Sequence, residues 1–204
     1  MRLLSKRIAT ILGLLAILIA LLPPLSVAAN QLFAAHMMQH LLLIAVAAPL
    51  LAASRMKPIS LPPVWAWLLF VGTFLFWHWP VAFRWAAASA ATEALEMTSI
   101  LVTAFLFWSA AFATDKLSYG ARALFVMTGA VATDLPGVIM VFAPTAICTM
   151  PGENAFVWGL TPLEDQQIAG LLMWVPANLI FFAIATWLFA RWMAAPEQHH
   201  PVTS

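Results

Sequence analysis

Charge is what this sequence has least of. Asp, Glu, Lys and Arg make up 8% of its 204 residues and hydrophobic residues 64%, whereas a soluble domain carries roughly a quarter charged residues. So few polar side chains cannot clothe a surface that faces water, which excludes an ordinary soluble globular protein. The net charge of +1 offers no broad basic field, so nucleic acid is not an expected partner. A single cysteine, Cys148, excludes an intramolecular disulfide and a cysteine-based zinc site. HExxH, GxSxG and a phosphate-binding glycine loop are all missing, which sets aside zincins, hydrolases with a nucleophile elbow and P-loop enzymes. There is no internal repeat and no low-complexity segment.

What the sequence does have is apolar runs long enough to cross ~30 Å of hydrocarbon. Six are predicted, over 8–28, 33–53, 61–82, 88–112, 122–143 and 165–190. Polar or proline-rich stretches separate them: SRMKP at 54–58 with Pro62-Pro63, TDKLSYGAR at 114–122, and a longer segment, 144–164, holding Pro144, Cys148, Met150, Pro151, Gly152 and Glu153. Backbone in lipid must satisfy its own hydrogen bonds, and the two-residue period of a barrel strand is absent, so these spans are helices. The expected architecture is all-α: one transmembrane domain over 1–204, a polytopic bundle of about six helices surrounded by lipid bilayer.

Positive charge orients the bundle. With the N-terminus in the cytoplasm, Arg2, Lys6, Arg7, Arg55, Lys57, Lys116, Arg122 and Arg191 fall at cytoplasmic ends, and of the 9 basic residues only Arg84 falls outside. The predicted topology is N-in and C-in. A basic start, an apolar stretch at 8–22 and small residues at 26–29 also describe a cleavable signal peptide. An uncleaved first helix kinked at Pro23-Pro24 is the preferred reading.

On this topology the polar residues gather at the outer ends. His36 and His40, in AAHMMQHLLL, are four apart and share a helix face with Met37 beside them. His78, in FWHWP, lies near the outer end of the third span. Glu93, Glu96 and Met97, in TEALEM, open the fourth; Asp165 and Gln166, in LEDQQ, open the sixth. Asp134 stands well inside the fifth, where a bare carboxylate costs about 2.5–3.5 kcal/mol even on the insertion scale. It needs a partner, a proton or a cavity, and Pro136-Gly137 is where the backbone there could open. Each residue also has an ordinary reading. Glu93, Glu96 and Asp165 suit the positive end of a helix dipole, Trp77 and Trp79 suit the membrane interface, and Met127, Met140 and Met173 suit core packing.

Convergence of His, Met and carboxylates without a thiolate cluster suits copper among the common metals. His36, His40, His78 and a carboxylate would satisfy zinc equally well. Haem between His78 and His36 or His40, quinone between spans, a proton path by way of Asp134, and plain structural hydrogen bonding remain open alternatives. The tail pair His199 and His200 falls in the cytoplasm, away from the cluster.

The blocks AAHMMQHLLLIAVAAPLL, FWHWP, ALEMTSILVTAFLFW and TPLEDQQIAGLLMW resemble the polytopic CtaG family, assembly factors for caa-type cytochrome c oxidase. The resemblance runs from about residue 33 to 190, and its first and last blocks are the most specific. It implies a role in oxidase maturation in the bacterial inner membrane, connected with copper supply, and it implies no catalysis. The implied partners are oxidase subunits and a periplasmic copper chaperone. His36, His40, His78, Asp165 and Gln166 match positions of the family pattern. One departure stands out: members often show a second HxxxH-like pair where this chain has Glu93 and Met97. The reading that follows puts copper on His36, His40 and His78 with Met37 and Met97 in support. Glu93, Glu96, Asp134, Asp165 and Gln166 are then supporting polar groups. A metal-free scaffold for oxidase subunits is its rival.

Overall fold

The computed structural model describes residues 2–54, 61–113, 117–150 and 154–194. Arg55, Lys57, Lys116, Pro151, Gly152, Glu153, His199 and His200 lie outside them. The described residues form helices joined by short connections, with no strand among them. In chain order the helices are α1 (Arg2–Leu21), α2 (Leu25–Ala29), α3 (Phe33–Leu41), a π-helical segment (Leu42–Ala47), α4 (Ala48–Ser54), α5 (Pro63–Trp77), α6 (Pro80–Ala86), α7 (Ala90–Phe112), α8 (Tyr119–Phe142) and α9 (Pro162–Met193).

Phe33–Ser54, Ala90–Phe112, Tyr119–Phe142 and Pro162–Met193 are each long and apolar enough to cross a membrane. The bent pair α5–α6 adds a fifth crossing if taken as one span. The 20-residue α1 turns Ile8, Ile11, Leu12, Leu14, Leu15, Leu18 and Ile19 outward, a side-chain set that only lipid or a partner helix accommodates. The protein is therefore a multi-pass, all-α membrane bundle of about six spans, as the apolar runs predict. The kink expected at Pro23-Pro24 separates α1 from α2.

Two spans differ from expectation. The third, predicted as continuous over 61–82, breaks after Trp77, and α6 leaves α5 at 81°. Proline explains the break: Pro80 has no N–H to donate and forces Trp79 out of the helical region, to φ −73° and ψ 131°. The fifth span does not open at Pro136-Gly137; α8 runs through both residues. Gly137 serves close approach instead. A Cβ on Gly170 would stand 2.7 Å from the Gly137 carbonyl oxygen and 2.9 Å from Val141 Cγ2, so α8 and α9 meet backbone to backbone. Gly170→Ala is accordingly expected to destabilise the bundle by about 1–3 kcal/mol, read as a lower melting temperature in mild detergent.

The second span contains the most informative local irregularity. Pro49 cannot donate to a carbonyl of the preceding turn, and the helix widens to π form over Leu42–Ala47. The Ile44 carbonyl then accepts from the indole Nε1–H of the buried Trp108 on α7, at 2.8 Å. This contact ties the second span to the fourth one turn beyond His40.

The two ends of the bundle have opposite chemistry. At one end Arg122 and Arg191 both stand over the Tyr119 ring, 4.9 and 5.6 Å from its centroid, where the start of α8 meets the end of α9. Arg122 also donates from Nε to the Ala111 carbonyl, at 2.6 Å. At the other end lie the starts of α3, α7 and α9 and the close of α5, which bring the acids, amides and histidines together.

Candidate metal site

The site is built on helix starts. Burial of the first turn of α3 leaves N–H groups without intrahelical partners, which must find acceptors. Asp165 supplies them from α9, accepting from the Phe33 N–H at 2.8 Å and the Ala34 N–H at 2.9 Å. Asp165 stands in the first turn of its own helix, as its ordinary reading had it, but its carboxylate caps α3. α9 is capped by Thr161 and Glu164 in a reciprocal box, which frees Asp165 to cap another helix. Gln39, fully buried, donates from Nε2 to the Ala20 carbonyl at 2.7 Å and fixes the same helix to α1.

So positioned, α3 turns His36 and His40 toward Glu96 of α7. His36 Nε2 lies 3.3 Å from Glu96 Oε2, and His40 Nε2 lies 3.5 Å from Glu96 Oε1. All three residues are buried, Glu96 completely. Neither contact has hydrogen-bond geometry, so both carboxylate oxygens and all four imidazole nitrogens lack a hydrogen-bond partner. Leaving such groups bare in an apolar interior is costly. One ligand atom from each residue lies within 4.8 Å of the others. Ligands about 2.0–2.2 Å from a tetrahedral ion stand roughly 3.4 Å apart, so the His–Glu separations have the size a shared ion requires.

His78 adjoins the group. Its ring lies 5.3 Å from that of His40, centroid to centroid, and stacks on Phe74 at 4.0 Å. Its Nδ1 is 2.7 Å from the Phe74 carbonyl. A carbonyl can only accept, so Nδ1 carries the proton and Nε2 keeps a lone pair, which is buried and unpartnered. Histidine ligands are commonly oriented this way by a second hydrogen bond. The helix break at Pro80 is what allows it, because His78 closes α5 with its side chain turned back along the last turn.

Other expected residues fall elsewhere. Met97 is buried with Ala20 and Leu43, and Met37 belongs to the main apolar core. Glu93 is half-buried in the first turn of α7. Asp134 has the partner its depth demands: Asn178 Nδ2 donates to Oδ1 at 2.8 Å. Trp77 is no interface anchor; it is buried, donates to Ser99 Oγ at 2.8 Å and stacks on Trp85, whereas Trp79 is exposed. Gln166 clamps the segment before α9. Its Oε1 accepts from the Ile147 and Cys148 N–H groups at 2.5 and 2.9 Å, and its Nε2 donates to the Met140 carbonyl at 3.1 Å.

By sequence Glu96 is one of four supporting acids, beside the amide Gln166. The one clue to its centrality was spacing: it lies three residues deeper in the fourth span than Glu93, beyond the reach of a merely capping acid. Met173, assigned to packing, lines a cavity of about 30 Å³ with His40 and Thr133, room for a single water.

A multi-pass bundle with a buried His–His–carboxylate group at one end defines a class: a membrane protein that gathers ionisable residues inside its bundle. The family model for the cytochrome c oxidase caa3 assembly factor (Caa3_CtaG) matches residues 4–62 and 54–195. The chain belongs to that family, and its partner is accordingly cytochrome c oxidase. No curated protein and no solved structure matches the chain.

Proposed function

We propose that this chain is a non-catalytic assembly factor of the bacterial inner membrane that carries copper at the extracytoplasmic end of its bundle for delivery to the oxidase. The observation that supports it is the convergence of His36, His40 and Glu96, buried and without hydrogen-bond partners, with the His78 lone pair beside them. Two imidazoles and a carboxylate suit a divalent first-row ion, Cu(II) or Zn(II), and imidazole also accepts Cu(I). Copper is the cargo that membership in an oxidase assembly family favours. The extracytoplasmic placement rests on the basic residues: Arg122 and Arg191 meet at the end opposite the histidines. Oxidase subunits are the recipients in this reading, and a periplasmic chaperone is the donor. His36 and His40 would hold the ion through imidazole nitrogen, Glu96 would balance its charge, and His78 would complete or exchange the set.

The test is metal content after purification in mild detergent, for wild type and His36→Ala/His40→Ala. About one copper per chain in wild type, lost in the double variant, is the expected result. Absence of copper from wild type after reconstitution with Cu(I) and with Cu(II) would reject copper carriage and leave the metal-free scaffold.

A further inference from the structure

Sulfur and imidazole line a second feature of the same end. A groove of about 520 Å³ runs between the α5–α6 break and α8, lined by His78, Trp79, Pro80, Pro136, Met140 and Cys148 among others. Its walls are otherwise apolar. Cys148 is free and buried, and burial pushes its thiol up to about 11, against a smaller opposing effect of Arg84, so it is protonated at neutral pH. One side chain sets the two sulfur residues relative to each other. Gln166 bonds the Cys148 N–H and the Met140 carbonyl at once, which fixes the pre-α9 segment against the last turn of α8. The third donor residue on the groove is His78, whose Nε2 is buried, unpartnered and adjacent to the His36–His40–Glu96 group. Packing alone gives no reason for a thiol, a thioether and a bare imidazole lone pair to line one groove.

We infer that this groove is an intake station for Cu(I), in which Cys148 and Met140 capture the ion through sulfur and His78 passes it to His36, His40 and Glu96. The inference rests on the copper-carrying role proposed above. Thiolate and thioether select Cu(I) over the harder divalent ions, whereas the histidine–carboxylate group does not. Capture forms the S–Cu bond and breaks the S–H bond of Cys148, and its proton leaves along the groove to water. On transfer, the ion exchanges sulfur for His78 Nε2 and then for the deeper ligands, and the thiolate regains a proton. No electron moves.

The experiment supplies full-length protein in detergent with Cu(I) from a coloured chelator under reductant and follows loss of the chelate with time. Cys148→Ser is expected to slow uptake at least tenfold and leave the final stoichiometry unchanged; Met140→Leu is expected to slow it several-fold. In His36→Ala/His40→Ala, which retains no copper through purification, X-ray absorption of protein measured in the presence of one freshly added equivalent of Cu(I) is expected to show sulfur bound to copper. Uptake by Cys148→Ser at the wild-type rate overturns the intake station while the deeper site stands. Copper with only nitrogen and oxygen neighbours in the double variant does the same. Failure of wild type to take up any copper overturns the carrying role itself, and this inference with it.

Discussion

Glu96→Gln is expected to remove the stabilisation that bound metal gives while leaving the metal-free protein as stable as wild type, or slightly more so. A ligand at a hundred times its Kd stabilises the state that binds it by about 2.7 kcal/mol. For a chain of this length that is a melting-temperature rise of roughly 5–10 °C. Wild type should show this rise on adding copper, and Glu96→Gln, having lost the ligand charge, should show little of it. In chelator the sign reverses. Glu96 is then a buried carboxylate with no hydrogen-bonding partner, and an amide of the same shape removes the cost of desolvating a charge. A structural His–Glu–His network predicts something else. Removing one member of a buried ion pair costs about 3–5 kcal/mol, and that loss would be present with or without metal. Thermal unfolding in chelator and in copper, for both proteins, separates the two. A large metal-independent loss would reject the metal site.

Asp165→Ala is expected to give the largest loss of stability of any surface-remote polar substitution in this chain, about 3 kcal/mol. The carboxylate accepts from two N–H groups at the buried start of α3, and each buried donor left unsatisfied costs about 1–3 kcal/mol. Asp165→Asn, which keeps one acceptor oxygen, should recover about half of it. The effect should also reach the metal. α3 carries His36 and His40 within its first two turns, so a frayed start moves both, and supporting groups of this kind change metal affinity about 10–100-fold. Copper titration of Asp165→Ala against wild type checks this. Unchanged affinity alongside lowered stability would mean that Gln39 and the core hold the histidines without help from Asp165.

Much of the site's neighbourhood was legible because helical spacing is rigid. His36 and His40 four residues apart share a face in any α-helix, whereas the break beside His78 went unread, because the third span reads as continuous over 61–82 despite Pro80. Asp134 announced that it needed a partner by its depth in an apolar span. Which partner it has was not legible, since Asn178 lies 44 residues further on and nothing local marks the pair. Trp77 and Trp79 show the limit of composition. Both look like interface anchors, but the break between them buries one and exposes the other.

The sequence by itself determined the class of this protein. Too little charge for a watery surface, runs long enough to span hydrocarbon and basic residues in every second connection leave a polytopic helical bundle as the only arrangement that satisfies its backbone in lipid. It also determined which residues stand near the polar end, because depth in a span follows from counting. The tertiary structure decided which of them meet. Helices rotate and tilt to pack their small residues, Gly137 against Gly170 among them, and that rotation is set by the summed contacts of the whole bundle. It turned Glu96 toward His36 and His40, turned Met97 toward α1, sent Asp165 to cap a helix remote in sequence, and put Cys148 and His78 on one groove. These are angular choices between helices, and helical periodicity places residues on a face without saying what that face meets.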